Sequence, residues 1–222
     1  TVEIYPVHDL HYGSEQFNLR KWNSMHDLIL SAPNRFIVWV GDLLENSVPF
    51  SNHSDCLTQM YSPQEQKEYI TALFKEFKHR TVAILDGNHE LNRSTRMAGL
   101  YPLYDCACIA GIPERYRTAY AVLDIGVGSQ AHHDKGKQMR YVGFATHKAK
   151  NMKNFGSVDA LEGFDFFLSG HVGFGAKTID DLKSLTPKEL SYAWRDTCAL
   201  APRFYNTARP VVDGDWIPAM PE

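Results

Sequence analysis

Thr81-Val82-Ala83-Ile84-Leu85-Asp86-Gly87-Asn88-His89-Glu90 is the stretch that decides the fold of this chain. A β-branched and apolar run of strand length comes first. A glycine follows, and then three side chains able to bind metals or move protons. The same grammar recurs. Thr1 to Val7 leads into Asp9-Leu10-His11, Phe36 to Val40 into Gly41-Asp42, Met139 to Ala145 into Thr146-His147, and Phe164 to Leu168 into Ser169-Gly170-His171. Parallel strands ending on one edge would bring Asp9, His11, Asp42, Asn88, His147 and His171 together. These oxygen and imidazole donors are enough for two divalent cations.

The segments between the runs read as helices and loops. Gln16 to Leu30 places Phe17, Trp22, Met25, Leu28 and Ile29 close to helical spacing, and Ser31-Ala32-Pro33-Asn34 stops it. Asn46 to Tyr61 is polar and irregular, a loop near the site that carries His53 and Asp55. Ser62-Pro63-Gln64-Glu65 opens a helix with a cap, a proline at the first helical position and a capping-box glutamate. That helix runs through Tyr69, Leu73, Phe74 and Phe77. Tyr101 to Ile112 is apolar and fits helix or strand. Tyr120 to Ile125 reads as a strand and Gly126 to Gly136 as a turn. Thr186-Pro187-Lys188-Glu189 repeats the capping signal for a late helix. With no repeat or linker visible, residues 1–222 are expected to form one α/β domain.

Composition excludes several classes. The chain has 222 residues, is 44% hydrophobic and carries a net charge of −3. That charge disfavours tight non-specific DNA binding, although a bound metal pair would add local positive charge. No apolar run approaches the ~20 residues that span a bilayer, so no membrane partner is expected. The four cysteines, Cys56, Cys106, Cys108 and Cys198, form no C-x-x-C pair. They read as free thiols of a reducing, cytoplasmic compartment, with Cys106-Ala107-Cys108 as ordinary packing. No signal peptide is visible, and the abrupt start leaves room for a short leader ahead of it.

The order D-x-H, G-D, G-N-H-E, H, G-H resembles the calcineurin-like metallophosphoesterase superfamily. The match runs from Val7 to about Gly173, and G-N-H-E is its most specific element. The resemblance implies a four-layer α/β/β/α sandwich of two mixed sheets flanked by helices. It implies that Asp9, His11 and Asp42 hold one metal, and that Asp42, Asn88, His147 and His171 hold the other. Asp42 would bridge the two. His89 would face the scissile phosphate and assist the leaving group while metal-activated hydroxide attacks. Glu90 and Glu45 would orient ligands or backbone. Arg93 would bind phosphate through its planar fork, or else form a surface salt bridge. Lys148, Lys150 and Lys153 would line a rim for a polyanion. Mn²⁺ is favoured by the mixed donors, with Fe, Zn or Mg as alternatives.

The chain departs from the family pattern at three places. Gly173 stands where the family usually ends G-H-x-H, which leaves the first metal one ligand short. Water, His53 or His132-His133 would complete that metal's shell, or the metal would be lost. Glu45 replaces the usual Asp of G-D-x-x-D, and Lys148 follows His147 where the family usually has Gly. Tyr12 and Glu45-Asn46-Ser47 also break the G-D-x-H-G and G-D-x-V-D-R-G patterns of protein serine/threonine phosphatases. The expected activity is therefore hydrolysis of phosphate esters, foremost phosphodiesters, with nucleic acid among the candidate substrates. A phosphomonoesterase is the alternative, and a degenerate member serving as a binding scaffold is a third reading.

Overall fold

The computed structural model describes residues 1–49, 57–128, 138–147 and 163–170, together with the backbone of 177–178 and 203–204. The expected loop residues His53 and Asp55, His132-His133, Lys148, Lys150, Lys153, His171, Gly173 and the helix at Thr186 lie outside the described residues.

Three parallel strands carry the first half of the site: β1 (Val2–Val7), β2 (Arg35–Val40) and β3 (Thr81–Leu85). The short β4 (Tyr116–Arg117) extends them in parallel, and β9 (Arg203–Phe204) pairs antiparallel with β1, giving the order β4-β3-β2-β1-β9. A second sheet has the order β5-β6-β7-β8, built from β5 (Tyr120–Gly128), β6 (Gln138–Thr146), β7 (Phe166–Ser169) and β8 (Lys177–Thr178). In it β6 and β7 are parallel and the outer pairings antiparallel. The molecule is thus α/β with two sheets.

Alternation along each strand sends side chains to opposite faces, and here each face meets a different core. Tyr5, Val7, Ile37, Trp39 and Ile84 point to the helices. There they meet Trp22, Met25 and Ile29 of α1 (Leu19–Leu30), Ile70, Leu73 and Phe74 of α2 (Pro63–Glu76), and Leu103, Cys106 and Ala107 of the helix Pro102–Ala110. Ile4, Val38, Val40, Ala83 and Leu85 point the other way, onto Ala121, Leu123, Ile125, Val127, Ala145, Phe166 and Leu168 of the second sheet. A strand covered on both faces is apolar nearly throughout, which is why Phe36 to Val40 shows no polar alternation. The second sheet's outward face carries Phe144 stacked on Tyr120 and Phe167, at ring separations of 5.5 and 5.7 Å.

The capping box at Ser62 is formed: Ser62 Oγ accepts from Glu65 N, and Glu65 Oε2 accepts from Ser62 N. The ambiguous Tyr101 to Ile112 is the helix Pro102–Ala110, started by proline and ended by Gly111 with φ +72°. At the start of the expected turn, Gly126 to Gly128 belong to β5 and pair with Gln138 to Arg140, and residues 129–137 lie outside the described residues. After β3 the chain turns at once into α3 (Asn88–Glu90), a π-helical turn at Leu91–Thr95 and α4 (Arg96–Ala98). The helix at Pro102–Ala110 is α5.

Candidate metal centre

The chain crosses the C-terminal edge of the first sheet three times, and the crossings are tied together by backbone. The loops after β1 and β2 stay zipped: Asp9 N donates to Gly41 O (3.1 Å), His11 N to Asp42 O (2.9 Å) and Tyr12 N to Leu43 O (2.9 Å). The third crossing is fastened by Glu90, which is wholly buried. Its Oε1 accepts from Leu43 N (2.9 Å) and Leu44 N (3.0 Å), and its Oε2 from Asp42 N (3.1 Å) and Gly87 N (2.9 Å). One carboxylate therefore gathers four amides from the G-D and G-N-H-E loops. Burial and the Asp42 carboxylate push its pKa up to about 7, with its amide donors working against them. The loops approach so closely that a Cβ on Gly87 would overlap Asp42 N and Oδ1, so glycine is required there.

This folding leaves the backbone in an uncommon state. Asp9, His11, Asp42 and Asn46 have φ values of +50°, +45°, +51° and +51°. They are the non-glycine residues with positive φ among those described. Such conformations cost energy and cluster at functional sites.

The side chains converge on Asp42, which is 1% exposed. Its Oδ1 accepts from His89 N (2.8 Å). Its Oδ2 lies 3.1 Å from His147 Nε2 and 3.9 Å from His11 Nε2. His147, arriving from the second sheet at the end of β6, also places Nε2 3.3 Å from Asn88 Oδ1. His11 Nε2 is 3.6 Å from Asp9 Oδ1. Two trios of ligand-capable atoms result, His11–Asp42–His89 and Asp9–Asp42–His147, each with its atoms within 4.8 Å of one another. Asp42 belongs to both.

Each imidazole is oriented through its other nitrogen. His147 Nδ1 bonds Val40 O (2.7 Å), His11 Nδ1 bonds Glu45 Oε2 (3.1 Å) and His89 Nδ1 bonds Glu45 O (3.0 Å). A carbonyl or carboxylate can only accept, so Nδ1 carries a proton in each ring, and a cation that displaced any second proton would find the lone pair on Nε2. This tautomer is the one that metal-ligating histidines use. Glu45 serves two of the rings and is itself held by Arg93, whose Nη1 reaches Glu45 Oε1 (2.6 Å), Glu45 O (2.5 Å) and Ser47 Oγ (3.0 Å). The π-helical turn carries Arg93 inward, and its side chain is 9% exposed, so it is not a surface residue.

Electrostatics follows the packing. Burial would raise Asp42, but His147, His89 and His11 bring it down to about 2. Burial likewise opposes the shift at Glu45, where His11 and Arg93 lower it to about 2. Asp9 is held well below the carboxylate range against its own burial by His11 and His8. The histidines answer in kind. Burial would lower His11 and His147, yet Asp9, Glu45 and Asp42 lift His11 to about 10, and Asp42 lifts His147 to about 9. Burial lowers His89. Without cations, protons on His11 and His147 balance the carboxylates. That carboxylate- and imidazole-lined cluster fits divalent cations, which would take the place of those protons.

Of the residues picked out in the sequence, Asp9, His11, Asp42, Asn88, His89 and His147 meet here. His171, two residues beyond β7, lies outside the described residues. For Arg93 the sequence offers phosphate or a surface salt bridge; the structure shows a salt bridge, to Glu45, and shows it buried. His89, expected to face substrate, also stands within ligand range of His11 and Asp42. Sequence reasoning passed over His8, whose Nδ1 lies 2.6 Å from Asp9 Oδ2. It passed over Asn46 too, whose Nδ2 bonds His89 O (3.3 Å) and Ser94 Oγ (2.8 Å). The described part of the polar tract from Asn46 is a loop, as expected, but the partners of Asn46 are distant in sequence.

No family model matches the chain, and neither a curated protein nor a solved structure matches it.

Proposed function

We propose that this chain is a metal-dependent phosphoesterase of calcineurin-like metallophosphoesterase type, acting foremost on phosphodiesters, with nucleic acid among its candidate substrates. The observation that carries this reading is Asp42 Oδ2, one carboxylate oxygen set between His147 Nε2 and His11 Nε2. A structural carboxylate has no need of two imidazoles whose Nδ1 atoms are already engaged elsewhere.

Asp9, His11 and Asp42 would hold one cation; Asp42, Asn88, His147 and His171 would hold the other, with Mn²⁺ favoured. Such a pair, when bound, supplies Lewis acidity to a phosphoryl group and lowers the pKa of water. The chain's own residues do the rest. Glu90 fixes the loops that carry Asp42 and Asn88. Arg93 fixes Glu45, and Glu45 fixes the rings of His11 and His89. With Nδ1–H given to Glu45 O, His89 takes any further proton on Nε2. An anionic ester beside it favours that protonated form. His89 then passes the Nε2 proton to the departing oxygen.

The same reading includes the four-layer α/β/β/α arrangement. Helices cover one face of the first sheet, and Phe144 and Phe167 are buried on the outward face of the second, at 7% and 1% exposure, as a further covering layer would leave them. Among the described residues no helix is long and apolar enough to cross a membrane.

The test is metal analysis after Mn²⁺ reconstitution, joined to a comparison of bis(p-nitrophenyl) phosphate with p-nitrophenyl phosphate. Bound metal with faster turnover of the diester supports the reading. Faster turnover of the monoester moves it to a phosphomonoesterase, and near-zero metal leaves only the binding scaffold.

A further inference from the structure

His8 stands outside every motif in the sequence, yet it touches the Asp9 carboxylate more closely than any other side chain described. Its Nδ1 is 2.6 Å from Asp9 Oδ2, and its own side chain is 3% exposed. The acceptor is a carboxylate, so Nδ1 carries the proton of this bond. The bond engages Oδ2 and turns Oδ1 toward His11 Nε2, at 3.6 Å.

The base of the side chain is closely packed. A Cβ on Gly170, just past β7, would stand 2.8 Å from His8 Cβ and 3.0 Å from His147 Nδ1. His8 is therefore wedged between the ends of the two sheets. Among the described residues its Nε2 is buried with no hydrogen-bond partner. A buried polar atom left unpaired is a cost that an apolar side chain would avoid. If packing alone were needed in this slot, leucine or phenylalanine would meet it better. What only histidine's other nitrogen provides is the bond to Asp9.

We propose that His8 is a positioning residue of the metal centre: its Nδ1–H holds Asp9 Oδ2 so that Asp9 presents Oδ1 alone to a cation. This rests on the metal-dependent reading above. Without the bond Oδ2 loses this donor, and the carboxylate can offer both oxygens to one cation.

The experiment is calorimetric titration of Mn²⁺ into the EDTA-stripped full chain, for the wild type, His8→Leu, His8→Asn and His8→Gln. Thermal melts followed by circular dichroism report folding separately. His8→Leu is expected to weaken at least one Mn²⁺ site by ~10–100-fold, the usual loss when a ligand's outer partner is removed. His8→Asn puts an amide N–H near the position of Nδ1 and is expected to restore affinity to within about threefold of wild type. His8→Gln carries its donor one bond too far, and is expected to behave as Leu does, which keeps the test decisive if the Leu variant does not fold. Wild-type affinity in His8→Leu or His8→Gln overturns the proposal, and so does a His8→Asn variant as weak as they are. A wild type that takes up no Mn²⁺ overturns the metal-dependent reading and this proposal with it.

Discussion

Asp42 Oδ2 lies 3.1 Å from His147 Nε2, although the two residues come from different sheets. The contact makes the proposed metal centre a joint between the sheets, and Asp42 its common member. Asp42→Asn keeps the shape and removes the charge. It is expected to weaken Mn²⁺ binding by more than the ~10–100-fold that loss of an outer partner costs. Equilibrium dialysis of the stripped protein would show it, and undiminished binding would remove Asp42 from its bridging place.

His89 separates two roles that its position allows. As a proton donor it is expected to matter for turnover and not for metal. His89→Ala should then lower kcat for bis(p-nitrophenyl) phosphate by ~10²–10⁴-fold at unchanged metal content. Loss of one metal equivalent in the same variant would instead make His89 a ligand, as its trio with His11 and Asp42 permits.

Glu90→Gln tests the clamp. A glutamine offers one acceptor oxygen and turns an NH₂ group toward two of the four amides. Unpaired buried donors cost ~1–3 kcal/mol each, so a loss of about 2–6 kcal/mol is expected in urea unfolding. An unchanged midpoint would show that the loops hold their approach without it.

Metal binding and protons are expected to be linked. His11 at about 10 and His147 at about 9 are imidazolium at neutral pH in the metal-free chain. Cations must displace those protons, so affinity should rise with pH between about 6 and 8. Calorimetry in buffers of different ionisation enthalpy should show proton release, and equal heats in Tris and PIPES would refute it.

Stability of the metal-free chain has a matching pH dependence. Asp42 and Glu45 have folded values of about 2, below the ordinary values of 3.8 and 4.5. Their contribution is present above about pH 4.5 and lost as pH falls toward 2. His11 and His147 are raised, so theirs is full below 6.5 and lost as pH rises through 9 to 10. Asp86, raised to about 7 by its burial, adds a loss between about 4 and 7. Melting temperatures should therefore peak on the acid side of neutrality, and Mn²⁺ should move the peak upward. A peak at alkaline pH without metal would contradict these assignments.

Much of the site was legible because it is local. Each ligand follows an apolar run directly, so the strand that delivers it can be read from the same few residues. The Ser62 capping box is local in the same way. The bonds that aim the ligands are not local. Val40 O orients His147, Glu45 orients His11 and His89, and Arg93 reaches Glu45 from a π-helical turn that no periodicity announces. His8 next to Asp9 was passed over because adjacency in sequence gives no sign that neighbouring side chains turn toward each other. For Tyr101 to Ile112 the helix signals were present, a proline at the start and Gly111 at the end, but the apolar content masked the period.

The positive φ angles at Asp9, His11, Asp42 and Asn46 carry a consequence for finding such sites elsewhere. Selection for stability alone would place glycine at these positions, where it relieves strain that other residues bear. Side chains persist there against that pressure only when their donor atoms are needed. A cluster of non-glycine, left-handed residues at the ends of neighbouring strands is therefore a locator that owes nothing to ancestry. It can be read from one backbone when comparison with other proteins is silent, and in this chain it lands on three of the proposed metal ligands.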